Sequence, residues 1–263
     1  MQKYKYLLLL TLILITAALT SVAAYFVLTP DFCSVKEKKA AFVLSFDDKA
    51  IKTWHDHRPL FHKYNVKATF FITYPDSLTQ EEKEMLSVLA ADGHEVASHG
   101  YAHANAINYA NNKSIRSYIE DEILPSINHL SKLGFHPVTF AYPYGAQNRV
   151  IDFELKKYFY LLRGDAWKVE GKGIDELDKI YYKYDGSKVV NGLGIDDNSN
   201  ISVEELSKGF KRAKERKEAI IIYAHSISNT VAEYNITPIR LEQILHAAQK
   251  YHLKSLRFKD LVL

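Results

Sequence analysis

From Ala40 onward the chain alternates between short apolar runs and longer segments whose apolar residues recur at helical spacing. The runs Ala40–Phe46, Lys67–Tyr74, His94–Ser98, Pro137–Ala141, Tyr160–Arg163, Ala219–Ala224 and Leu253–Phe258 are rich in β-branched and aromatic residues and read as buried strands. Between them, Trp54–Tyr64, a segment opened at Thr79 and closed by Gly93, Ser114–Leu133, Arg149–Tyr158, Ser202–Lys217 and Thr237–Tyr251 read as helices. Thr79 with Glu82, and Ser202 with Glu205, have the spacing of capping boxes, and Pro125 predicts a kink. The glycine-rich stretch Gly171–Asn200 reads as a strand-and-loop insertion. Strand–helix alternation with wholly apolar strands predicts an α/β fold with a parallel sheet covered on both faces, open or closed as a barrel.

The first residues break this pattern. Lys3 and Lys5 precede an uncharged apolar run, Leu7–Leu28, which predicts an N-terminal apolar helix long enough, at ~1.5 Å per residue, to span a bilayer. Ser21-Val22-Ala23-Ala24 offers small residues for signal-peptidase cleavage. The run nevertheless stays apolar through Tyr25–Leu28, beyond the usual signal core, which favours an uncleaved anchor. Either way the lysines stay inside and the rest is exported. The organisation expected is a short basic cytoplasmic segment over 1–6, a signal anchor or signal peptide over 7–28, a linker over 29–39 and one catalytic domain over 40–263. The protein is then membrane-anchored with an exported catalytic domain, or secreted or periplasmic if the segment is cleaved.

Composition narrows the classes. At 263 residues and a formal charge of +3, with lysines and arginines scattered, the chain carries no basic stripe for nucleic acid. Lys36-Glu37-Lys38-Lys39 reads as a solvated juxtamembrane linker. The single cysteine, Cys33, excludes an intrachain disulfide, and Thr29-Pro30-Asp31-Phe32 before it is no lipidation box. No pattern predicts a protein partner.

The candidate chemistry lies in four segments at predicted strand ends. Ser45-Phe46-Asp47-Asp48 closes the first strand with adjacent carboxylates, of which one can bind metal and the other stay free as a base. His99 and His103 are spaced i, i+4, so on one helical turn both imidazoles face the same way. With one aspartate they form a three-ligand set that leaves a metal position open for water. In Tyr142-Pro143-Tyr144-Gly145, Pro and Gly fix a tight loop whose N–H groups can face an oxyanion. His225 caps the strand Ile220–Ala224, where a titratable residue is better placed for acid catalysis than for packing. His55-Asp56-His57 also looks like a metal motif but falls in a predicted helix and reads as solvated surface.

Taken in order, the segments resemble the polysaccharide deacetylases, carbohydrate esterase family 4, over about residues 40 to 260. The resemblance implies a distorted (β/α) barrel and a metal-dependent hydrolase acting on carbon–nitrogen bonds other than peptide bonds. Its substrate would be an acetylated glycan, a cell-surface or extracellular polysaccharide, losing acetyl groups, N-acetyl first. It implies Asp47 as base, Asp48, His99 and His103 as metal ligands, the Tyr144 N–H as oxyanion donor, His225 as general acid, and a metal-activated water. The metal would be Zn2+ first, with Co2+, Ni2+ and Fe2+ as alternatives, and the membrane is a partner only if the N-terminal helix is uncleaved. Pro143 belongs to the third motif and is expected to contact substrate. Two positions depart from the pattern. Ala141 stands where an arginine often orients the base, and Arg163, at the end of the predicted fifth strand, is expected to take that role. Asp165-Ala166-Trp167 matches loosely the Asp and Trp that support the acid His and shape the groove, with Trp167 toward substrate. A catalytically weak glycan-binding protein on this fold, and a small-molecule amidase on a related barrel, are the alternatives.

Overall fold

The computed structural model describes residues 38–230 and 234–262. The run Leu7–Leu28, its lysines and Cys33 lie outside these residues. Among the described residues no helix is long and apolar enough to cross a membrane.

The strands are β1 (Ala41–Asp48), β2 (Thr69–Ile72), β3 (Glu95–Ser98), β4 (Thr139–Ala141), β5 (Leu161–Ala166), β6 (Tyr181–Tyr182), β7 (Val189–Gly194), β8 (Ala219–Ala224), β9 (Ser226–Ile227), β10 (Asn235–Ile236) and β11 (Lys254–Leu256). β1 to β5, β7 and β8 pair in parallel in that order, and β8 returns to β1, which closes a seven-stranded barrel. Outside that ring, β6 runs antiparallel to β8 and β11 pairs with the first residues of β1.

Strand periodicity assigns the two faces. Along β1, Phe42, Leu44 and Phe46 join the cluster beneath the helices, while Ala41 and Val43 join the barrel interior. Continuing the alternation puts Ser45 and Asp47 on the interior face. In β8, Ile220, Ile222 and Ala224 face the helices, and Ala219 and Ile221 face inward, so Tyr223 shares the inward face. The outer cluster is aromatic: Trp54 stacks on Phe70 at 4.9 Å, and Phe46 on Phe70 at 5.7 Å. Each such side chain, fully buried, contributes about 1.5–3 kcal/mol. The indole N–H of Trp54 donates to the His225 carbonyl at 2.7 Å, which ties the end of β8 to the first helix.

The helices are α1 (Ile51–Asp56), α2 (Arg58–Lys63), α3 (Gln80–Ala91), α4 (Ala106–Asn112), α5 (Ile115–Tyr118), α6 (Leu124–Lys132), α7 (Arg149–Leu155), α8 (Val203–Arg216) and α9 (Pro238–Lys250). Both predicted capping boxes form, at Thr79 with Glu82 and Ser202 with Glu205. The helix predicted over Trp54–Tyr64 is broken at His57, because Pro59 lacks the N–H that would continue α1 and instead starts α2. The helix predicted over Ser114–Leu133 contains a π turn at Ile119–Ile123 between α5 and α6. Pro125 lies just beyond it, and the wider turn accommodates the missing N–H and the bulk of the ring.

The stretch Gly171–Asn200 is not an insertion. It supplies β7, a barrel strand between β5 and β8. Its glycines have the look of loop residues but make room inside the barrel: a Cβ on Gly192 would meet Tyr223 at 3.0 Å and Arg163 at 3.3 Å, and one on Gly194 would meet Tyr223 at 3.3 Å.

Candidate active site

The carboxyl ends of the parallel strands all open at one end of the barrel, and the candidate residues gather there. β1 runs longer than its apolar residues suggest and includes Asp47 and Asp48. Asp48 has φ +79, so the chain turns at that residue and the two carboxylates need not point to opposite faces. His99 follows β3 directly. His99 and His103 do not sit on a helical turn, as their spacing predicted. They flank a loop in which Gly100 has φ +84 and His103 φ +56, and the loop brings their ring centroids to 4.9 Å.

Asp48 Oδ1 lies 3.2 Å from His103 Nε2 and 3.6 Å from His99 Nε2, and one ligand atom from each residue falls within 4.8 Å of the others. His99 Nδ1 donates to the Ala141 carbonyl at 2.8 Å, which leaves the Nε2 lone pair toward the cluster. Burial, with His103 and Arg163 nearby, lowers the His99 pKa to about 3 despite Asp48, so the ring is neutral. Asp48 resists its own burial: the His103 contact and the neighbouring imidazoles lower its pKa to about 2. An ionised carboxylate oxygen and imidazole nitrogen donors, one side open to a cavity, form a donor set that fits a divalent cation such as Zn2+.

Asp47 is buried on the other side of the turn. Arg163 Nη2 donates to Asp47 Oδ2 at 2.7 Å, while Asp47 Oδ1 has no hydrogen-bond partner among the described residues. Burial raises the Asp47 pKa above the usual carboxylate range, against the opposing charges of Arg163 and His225. Arg163 is not at a strand end, because β5 continues to Ala166. Its register partner on β4 is Ala141. An inward side chain as small as Ala141 therefore has, one strand over, an arginine at the same level of the barrel. The guanidinium also packs over the Tyr223 ring at 4.2 Å and the Phe71 ring at 5.6 Å.

His225, one residue past β8, donates from Nδ1 to Asp196 Oδ2 at 2.6 Å, and its backbone N–H donates to Asp196 Oδ1 at 3.1 Å. Burial alone would lower the pKa of His225, but the Asp196 hydrogen bond and the carboxylates of Asp47, Asp196 and Asp48 outweigh it and raise it. The aspartate supporting this histidine is thus Asp196, not Asp165. Asp165 lies on β5 at 3.6 Å from Arg163, and burial raises its own pKa. Asp196 went unnoticed in the sequence because it follows the strand read as an insertion. An acid two residues past a strand end is the signal that could have found it.

Tyr144 has φ +59 in the tight turn after β4, and its ring packs on His103 at 4.7 Å. Pro143 is buried, and Tyr142 anchors the turn by donating to Asp152 on α7 at 2.9 Å. Gly145 has φ +60, and a Cβ there would stand 2.6 Å from Asp165. Tyr142, Tyr144 and Asp165 line a cavity of about 350 Å³ with Asp47, Asp48, His99, His103, Arg163 and His225. Trp167, 74% exposed, Tyr144, 66%, and Tyr234, 57%, present aromatic faces around it. His55-Asp56-His57 joins no such cluster among the described residues.

The family model described as polysaccharide deacetylase matches residues 34–161. No curated protein matches the chain. Among solved structures, the chain is similar to the Xyl-CE4 domain of a multidomain xylanase from the hindgut metagenome of Trinervitermes trinervoides (18% identity, 85% of this chain and 89% of that one, TM-score 0.54). It is also similar to the catalytic domain of the peptidoglycan N-acetylglucosamine deacetylase of Eubacterium rectale (18% identity, 87% and 94%, TM-score 0.54). A third is the chitin deacetylase of Colletotrichum lindemuthianum (13% identity, 86% and 88%, TM-score 0.53). At these identities the likeness establishes the fold.

Proposed function

We propose, from the match of residues 34–161 to the polysaccharide deacetylase family model, that the chain is a metal-dependent hydrolase that removes acetyl groups, N-acetyl first, from a cell-surface or extracellular polysaccharide. The observation that carries this reading is one cavity lined by Asp48, His99 and His103 together with two titratable groups held by partners of opposite charge, Asp47 on Arg163 and His225 on Asp196.

Asp48, His99 and His103 would hold the cation, which supplies Lewis acidity toward the acetyl carbonyl and lowers the pKa of water toward ~7. Asp47 acts as base: its unpartnered Oδ1 takes a proton from water as the water oxygen attacks the carbonyl carbon. Arg163 holds the other carboxylate oxygen and opposes the rise in pKa that burial imposes on it. The backbone N–H of Tyr144 stabilises the oxyanion. His225, oriented by Asp196 and with its pKa raised by that contact, gives its Nε2 proton to the leaving nitrogen as the carbon–nitrogen bond breaks. The products are acetate and a free amine. An amine leaves poorly without a proton, so a histidine of raised pKa suits N-acetyl substrates. Exposed Trp167 and Tyr234 offer apolar ring faces for the sugar, and buried Pro143 shapes the turn beside the acetyl group.

A weak glycan-binding protein was suggested by Ala141, and the register-matched Arg163 speaks against it. The test is acetate release from an N-acetylated oligosaccharide, lost with a chelator and in Asp47→Asn. The Leu7–Leu28 run supports export with an anchored or cleaved N-terminus. Alkaline extraction of membranes that left the protein soluble, at full length, would contradict anchoring.

A further inference from the structure

The loop between His99 and His103 has a support that the proposed reaction does not use. The Tyr101 and Ala102 N–H groups donate to Glu122 Oε2 at 3.0 and 2.9 Å, and the Ala104 N–H reaches the same oxygen at 3.4 Å. The Gly100 N–H turns instead to Ser98 Oγ at 3.3 Å. Glu122 is buried and lies in the π turn between α5 and α6. Four residues on, Ser126 meets Ser98 Oγ at 2.8 Å, so one helical face grips both β3 and the loop that follows it. The wrap is close: a Cβ on Gly100 would lie 3.0 Å from Glu122 Oε2.

We propose that Glu122 is a positioning residue for the metal site. Its carboxylate gathers the loop amides by charge-assisted hydrogen bonds and thereby holds His103, at φ +56, with Nε2 3.2 Å from Asp48. That left-handed conformation is uncommon for a non-glycine residue, and the Glu122 contacts on either side of His103 stabilise it. Without the carboxylate, the inward-turned N–H groups lose their common acceptor and the loop relaxes, carrying His103 away from Asp48 and His99. The inference rests on reading Asp48, His99 and His103 as metal ligands.

The test is Zn2+ affinity, measured by competition with a chromophoric chelator, for the wild-type protein, Glu122→Gln, Glu122→Ala and Glu120→Gln. Glu120 lies on the same turn, half exposed and paired with Arg116. Outer-shell partners of metal ligands typically govern affinity about 10- to 100-fold. Glu122→Gln, which keeps shape and one acceptor, should weaken binding about tenfold, and Glu122→Ala more. Glu120→Gln should bind like the wild type, and circular dichroism should show metal-free Glu122→Gln still folded. A folded Glu122→Gln with affinity within about twofold of wild type would overturn the inference. A metal-free Glu122→Gln that is already unfolded would overturn it too, by making Glu122 a general support of the barrel. If the wild type does not bind Zn2+, the metal reading itself falls and takes this inference with it.

Discussion

Replacing Arg163 by Met keeps most of the side chain's volume over Tyr223 and removes only its charge and fork. The guanidinium stands 2.7 Å from Asp47 Oδ2, and both groups are buried. At about 4 Å between charge centres and an effective dielectric of about 20, their attraction is about 4 kcal/mol. At 1.36 kcal/mol per pKa unit, that is about three units on the Asp47 carboxyl. The sign follows from the role. Burial already raises this pKa, and Arg163 is the largest influence pulling it down. Losing Arg163 therefore raises it further. A base works only when ionised, so activity fails as pH falls through its pKa, and the acid limb of kcat/KM should move to higher pH by about two to three units. Folding stability should drop by about 3–5 kcal/mol, the usual cost of stranding one member of a buried pair. Arg163→Lys, which keeps a charge without the fork, should move the limb less. The assay is acetate release across the pH range by zinc-loaded protein whose fold is checked by thermal melting. A folded Arg163→Met with an unmoved acid limb and undiminished kcat/KM would refute the assignment of Arg163 to the base.

Asp196→Asn should act on the opposite limb. It removes the main group raising the His225 pKa, so the alkaline limb should move to lower pH, with kcat reduced about 10²–10⁴-fold as proton donation fails; an unmoved limb would free His225 from that role. Gly145→Ala should cost about 1–3 kcal/mol and lower kcat, since the residue would have to keep φ +60 with its Cβ against Asp165; a variant that melts and turns over like the wild type would show that the turn is not needed in this form.

Much of this was legible in the chain, for reasons that can be named. β8 is apolar in every residue, and its predicted span, Ala219–Ala224, is the observed one. The Thr79 and Ser202 capping boxes are local chemistry and form as spaced. The order of Asp47, Asp48, His99, His103, Tyr144 and His225 placed the site, because parallel strands deliver their carboxyl ends to one rim. What failed was non-local. Gly192 and Gly194 look like loop residues until Arg163 and Tyr223 occupy the space beside them. With β7 hidden, Asp196 behind it was hidden too, and Asp165 was given its work. The His99–His103 spacing suggests a helix, but the loop folds around Glu122, a residue distant in sequence. Arg163 was suspected from its strand, yet only the pairing of β4 with β5 puts it level with Ala141.

The central claim is that a cation at Asp48, His99 and His103 and a proton acceptor at Asp47 act together in deacetylation. The most direct measurement is acetate released from an N-acetylated glycan oligosaccharide by purified protein, metal-free and after Zn2+ is restored, beside Asp47→Asn. The account predicts release that vanishes without metal, returns with it, and is absent in Asp47→Asn even though that variant still binds Zn2+. Release that survives metal removal, or that Asp47→Asn sustains at the wild-type rate, would contradict it.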